Sequence, residues 1–133
     1  MGYDDRSMNV QPKAPFLETY KGLDNAPWEV TPQAVQGLLR QDTDFLLLDC
    51  RTAEEWEAGA IEGAVNLPLQ QVSTRTEELD PHRCQPIITY CRNGRRSIIV
   101  AKYLRLAGFL HVRSMAGGFE AWVSLSACPQ SKT

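Results

Sequence analysis

Two short segments, Asp44–Cys50 (DFLLLDC) and Pro86–Cys91 (PIITYC), are continuously apolar over the length of a β-strand. A strand with one wet face alternates polar and apolar residues; an unbroken apolar run needs cover on both faces. Each run is followed by a stretch with helical signals. After the first comes TAEEWEAG, with Thr52 as a possible cap, acids in its first turn and Gly59 at its exit. After the second comes RRSIIVAKYLRLAG, a strong helix that stops at Gly108. The same alternation extends to both sides. WEV (Trp28–Val30) reads as a short strand. TPQAVQGLLRQ reads as a helix entered through Thr31 and Pro32, with Ala34, Val35, Leu38 and Leu39 at helical spacing. GAVNLP reads as another short buried strand, residues 69–80 as weakly helical, HVRSM as a last strand, and GGFEAWVSL as a closing turn and helix. Strands alternating with helices predict an α/β fold, a mainly parallel central sheet with helices on both faces.

At 133 residues the chain accommodates one well-buried domain. The expected organisation is an N-terminal arm over residues 1–26, a domain over 27–126 and a short tail over 127–133. No apolar run approaches the ~18 residues of a membrane span. The opening MGYDDRSMNV has no apolar core of a secretory signal, and Arg6 stands where a myristoylation signal needs Ser or Thr. A cytoplasmic location is expected, with no membrane partner. Four scattered cysteines (Cys50, Cys84, Cys91, Cys128) with no CxxC pair, and two histidines apart from them, argue against a disulfide framework, a metal site and a cofactor.

Charge is unevenly placed. Between Pro81 and Phe119 stand seven Lys or Arg residues and no acid, although the chain as a whole carries a net charge of −2. Such a field favours small anions or an acidic partner over nucleic acid, which an acidic pI near 5.7 also disfavours. At the centre of this region Cys91 ends the second apolar run. Arg92, Asn93, Gly94, Arg95 and Arg96 follow, and then Ser97 and the strong helix. In parallel sheets ligands bind beyond the carboxyl ends of the strands, where Cys91 lies. Gly94 allows the backbone to curl its N–H groups inward, and the helix adds unsatisfied N–H groups and a positive dipole end. A thiol at the base of such a cradle is expected to have a lowered pKa and to act as a nucleophile. The bland reading is a buried inert cysteine before a solvated helix start.

The loop CRNGRRS resembles the C-R-x-G-x-R pattern of the rhodanese (sulfurtransferase) family. Two further segments agree in order. LLLDCRTAEEWEAGAIEGAVNLPL is similar to that family's N-terminal signature, and VRSMAGGFEAW to its C-terminal one, so the resemblance runs from about Trp28 to Leu125. It implies a rhodanese-like three-layer α/β/α fold. It also implies a sulfurtransferase in which Cys91 takes sulfane sulfur from an anionic donor such as thiosulfate and passes it, as a persulfide, to cyanide, a thiol or a protein cysteine. Four residues separate Cys91 from Arg96. This matches the six-residue sulfurtransferase loop rather than the longer loop of related dual-specificity phosphatases.

By this resemblance Arg92 and Arg95 are candidates for orienting the donor, and residues 92 to 96 for holding the terminal sulfur. Arg96 is a candidate brace toward Asp49. Ser97 is either the helix cap or a donor to sulfur. Asp49 and Arg51 are read as a buried pair, and Trp56 and Trp122 as structural. Gly117 and Gly118 are read as letting their loop pass close to the active-site loop. Ala60 departs from the family pattern, which has His there. Cys50 is read as a packed strand-end residue, Cys84 as a turn residue and Cys128 as an incidental tail thiol. The alternatives are a non-catalytic interaction module and a phosphatase or arsenate reductase on the same fold.

Overall fold

The computed structural model describes residues 28–127; the expected arm (1–26) and Cys128 lie outside them. Among the described residues five strands form one parallel sheet: β1 (Glu29–Val30), β2 (Leu46–Asp49), β3 (Val65–Asn66), β4 (Ile87–Tyr90) and β5 (Val112–Met115), in the order β1-β5-β4-β2-β3. The helices between them are α1 (Pro32–Arg40), α2 (Ala53–Glu57), α3 (Val72–Arg75), α4 (Arg95–Leu106) and α5 (Gly118–Ala127). Every neighbouring pair of strands is parallel, as the unbroken apolar runs require.

Alternate residues of β4 explain the layering. Ile87 joins Leu48, Leu67, Val100, Leu104 and Val112 in a cluster on the α4 side. Ile88 and Tyr90 join Val30, Val35, Leu38 and Leu47 on the opposite side, where Trp122 of α5 also packs. All four residues of β4 are 0% exposed. Burial of each isoleucine or leucine side chain contributes about 1.5–3 kcal/mol, so both faces of this strand are strongly fixed.

Local chemistry sets the helix starts. The Thr31 hydroxyl accepts the Ala34 N–H at 3.0 Å, with Pro32 opening α1. Thr52 and Glu55 form a reciprocal capping box on α2: the Thr52 hydroxyl accepts from Glu55 N at 3.1 Å, and a Glu55 carboxylate oxygen accepts from Thr52 N at 3.0 Å.

One segment differs from expectation, and a second is weakly helical as expected but in mixed turns. GAVNLP yields only the two-residue edge strand β3, with Val65 48% exposed rather than buried, because nothing among the described residues pairs with its outer side. The segment 69–80 contains a single α-helical turn, α3, between 3₁₀ turns at Leu69–Gln71 and Thr76–His82. Pro81 lies within the second of these and lacks the N–H that an α-helix would use there.

Candidate active site

β4 delivers Cys91 to the middle of the sheet's carboxyl edge. From there the chain turns through Arg92, Asn93 and Gly94 into α4. Gly94 is the N-cap of α4 with φ +98°, a left-handed conformation that strains any side chain, and a Cβ there would stand 3.3 Å from Gly117 N. The Asn93 side chain accepts the Arg95 N–H at 3.2 Å and holds the turn.

The curl aims donors at sulfur. Gly94 N donates to Cys91 Sγ at 3.1 Å and Ser97 N at 3.3 Å, and the Ser97 hydroxyl lies 3.5 Å away. Ser97 is therefore no helix cap, since Gly94 holds that position and makes no side-chain cap bond. Fully buried, it is positioned from two sides. Thr89 Oγ1 donates to its carbonyl at 2.9 Å, and its hydroxyl meets Ser114 Oγ at 2.7 Å. Burial pushes the Cys91 thiol up. The Ser97 hydroxyl and N–H and the N–H groups of Asn93 and Gly94 outweigh it, so the net shift is downward. Cys91 itself is 0% exposed, whereas Arg92, Asn93 and Arg95 of the loop that follows it are exposed.

The three arginines have different surroundings. Arg92 reaches Glu120 across the loop, Nε to Oε2 at 3.0 Å, in a well-exposed pair worth under about 1 kcal/mol. Arg95 is exposed at the loop's crest. Arg96 is held by Glu55 of α2 through both terminal nitrogens, Nη1 to Oε1 at 3.0 Å and Nη2 to Oε2 at 3.3 Å, and its guanidinium also interacts with Cys91. This grip holds the Glu55 carboxyl down to about 2.

The expected brace from Arg96 to Asp49 does not form. Asp49 projects to the opposite face of the sheet, where Arg51 binds it at 2.7 Å and also donates to Gly59 O. The Arg51 guanidinium lies 4.3 Å from the centre of the Phe119 ring and 5.6 Å from that of Tyr90. Glu55 stands 41 residues from Arg96, so the sequence around the loop carries no sign of it, and its local signal is the Thr52-x-x-Glu55 capping pattern. Ser114 and Glu120 also went unforeseen.

The Gly117-Gly118 turn comes against the loop from the other side. A Cβ on Gly118 would lie 2.4 Å from Cys91 O and 2.6 Å from the Arg92 carbonyl carbon and oxygen. This approach lets Phe119 N donate to Cys91 O at 2.7 Å and Glu120 N to Arg92 O at 3.0 Å. The N-terminus of α5 thus satisfies the loop's outward carbonyls, while the N-terminus of α4 faces the sulfur. Ala60 lies away from both, in the wall of a surface cavity of about 490 Å³ with Leu39, Ile61, Glu62 and Trp122.

Comparison with known proteins gives a family model, the rhodanese-like domain, that matches residues 31–125. This chain belongs to the rhodanese-like domain family. A sulfurtransferase of Allochromatium vinosum is 33% identical over 94 residues, which cover 71% of this chain and 86% of that protein. A thiosulfate sulfurtransferase of Coxiella burnetii is 33% identical over 79 residues, 59% of this chain and 72% of the relative. The solution structure of a rhodanese-like domain from Anabaena superposes with a TM-score of 0.67 at 25% identity, over 80% of this chain and 83% of that one. Some matched relatives are longer: the chain spans 59% and 50% of two Bacillus subtilis proteins. No helix of the described residues is long and apolar enough to cross a membrane.

Proposed function

We propose that this rhodanese-like domain is a sulfurtransferase carrying sulfane sulfur on Cys91. The observation behind this reading is the set of groups converging on one sulfur at the end of the central strand: Gly94 N and Ser97 N donate to it, and the Ser97 hydroxyl, which accepts from the thiol, is placed to donate to the thiolate. They favour a thiolate at rest and a persulfide anion after the first half-reaction. The Cys91 thiolate attacks the outer sulfur of an anionic donor such as thiosulfate. The S–S bond of the donor breaks, and sulfite leaves with the bonding electron pair. A thiophile such as cyanide, a low-molecular-weight thiol or a protein cysteine then removes the outer sulfur and regenerates the thiolate. Arg92 and Arg95, exposed at the mouth, orient the incoming anion. Arg96, held by Glu55, fixes the start of α4 and sets its positive charge beside the Cys91 sulfur. Because Cys91 is fully covered, the loop parts to admit the donor.

The test is thiocyanate formation from thiosulfate and cyanide, together with intact-mass measurement after thiosulfate alone. A dithiothreitol-labile gain of about 32 Da on Cys91, and loss of both signals in Cys91→Ser, is the expected outcome. Unchanged sulfur transfer in Cys91→Ser refutes the assignment. Hydrolysis of an aryl phosphate in place of sulfur transfer would move the protein to the phosphatase branch of the fold.

A further inference from the structure

β2 and β4 are hydrogen-bonded neighbours paired in register, Leu48 with Thr89 and Asp49 with Tyr90. One step further along both strands stand Cys50 and Cys91, and Cys50 N donates to Tyr90 O at 2.8 Å, continuing the ladder. The side chains of the two cysteines share a face. Cys50 is in the cluster with Leu48, Val100 and Ala101, on the α4 side of the sheet. The Cys91 sulfur is bonded to the first turns of α4. Adjacent strands lie about 4.8 Å apart, within the Cα separation of about 4.4–6.8 Å that a disulfide spans.

We infer that Cys50 is the second thiol of a two-cysteine site and captures oxidised Cys91 as an intramolecular disulfide. The oxidant class is a hydroperoxide. The Cys91 thiolate attacks one peroxide oxygen, the O–O bond breaks, and the departing alkoxide or hydroxide takes a proton, leaving a sulfenic acid on Cys91. The Cys50 sulfur then bonds to the Cys91 sulfur, the S–O bond breaks, and the hydroxyl leaves with the Cys50 proton as water. Two thiols and one hydroperoxide thus give one disulfide, one alcohol or water from the peroxide, and one further water.

Burial, followed by the nearby charge of Cys91, pushes the Cys50 thiol well up. Cys50 is therefore a quiescent thiol while Cys91 is a thiolate, and that repulsion vanishes once Cys91 is oxidised to a neutral group. Sulfur transfer makes no use of Cys50, so this inference needs only a nucleophilic Cys91 and stands apart from the donor and acceptor assigned above.

The experiment treats the protein with hydrogen peroxide alone, blocks free thiols and maps peptides without reduction. A linked Cys50–Cys91 peptide pair, about 2 Da lighter than the two free peptides together, is expected, and dithiothreitol is expected to restore Cys91 labelling fully. In Cys50→Ala, which removes the sulfur without overfilling the core, the same treatment is expected to leave a dithiothreitol-resistant gain of about 32 Da on Cys91, a sulfinic acid. Thiosulfate-dependent persulfide formation is expected to survive in that variant. Mapping the wild-type protein needs no variant to fold. A Cys91 linked instead to Cys84 or Cys128, or oxidised past sulfenic acid at the same rate with and without Cys50, overturns the inference.

Discussion

Replacing Glu55 by Gln separates two roles that one carboxylate plays. As the third residue of the capping box, Gln retains an amide oxygen that can accept the Thr52 N–H, so the start of α2 survives. What disappears is the charged grip on Arg96. Bonding to Arg96, which outweighs burial, carries the Glu55 carboxyl from its ordinary 4.5 to about 2. At about 1.36 kcal/mol per unit that shift has a ceiling of roughly 3 kcal/mol. The two side chains are 28% and 27% exposed, so water screens the pair and about 1–2 kcal/mol is expected. Because the folded-state pKa is depressed, the contribution is fully present above about pH 5 and is lost as pH falls from there toward 2. Urea unfolding of the wild type and Glu55→Gln at pH 7 and pH 3 reads this directly. The two should differ by about 1–2 kcal/mol at pH 7 and by about half that or less at pH 3, while Glu55→Ala should lose about a further 1 kcal/mol for the cap. A constant difference at both pH values would refute the ion pair as the source, and no difference at pH 7 would refute the grip altogether.

Gly118→Ala should cost about 2–4 kcal/mol and depress sulfur transfer, since its Cβ would press on Cys91 O and the Arg92 backbone at a φ of +61°; thermal unfolding and thiocyanate assays check both. Ser97→Ala removes a donor to sulfur, so the pH profile of Cys91 alkylation should move upward; an unmoved profile would exclude the hydroxyl as an activator. With Cys91 covered by its loop, iodoacetamide should label it at least about tenfold faster than a bulky maleimide under conditions where an exposed thiol shows no such preference.

The sheet was legible because its central strands are apolar on both faces, and only parallel strands under two helical layers satisfy that. The Cys91 loop was legible because glycine, arginines and cysteine sit consecutively. What escaped depends on pairing across the fold. Arg96 has no acid within its own segment, and Glu55 becomes its partner only because the fold brings α2 within reach of the start of α4. Ser97 looked like a cap because caps precede apolar helices, yet the left-handed Gly94 starts the helix earlier and turns Ser97 inward to sulfur. Asp49 is separated from Arg96 by the sheet itself, a fact of strand alternation once β2 is aligned with β4. Val65 read as core because its segment is apolar, but an edge strand has only one neighbour.

The strand order carries one more consequence. β4 has two strands on either side, and the outermost, β1 and β3, are two residues each. Opening at the rim, the cheapest fluctuation of a sheet, therefore leaves the central ladder closed. In hydrogen-exchange terms the amides of Ile88 and Tyr90 are expected in the slowest class, exchanging through global unfolding, and those near Val65 through local fraying. Cys91 is thus mounted on the part of the molecule expected to open last, and the proposed sulfur transfer asks for motion only in the few residues of its loop.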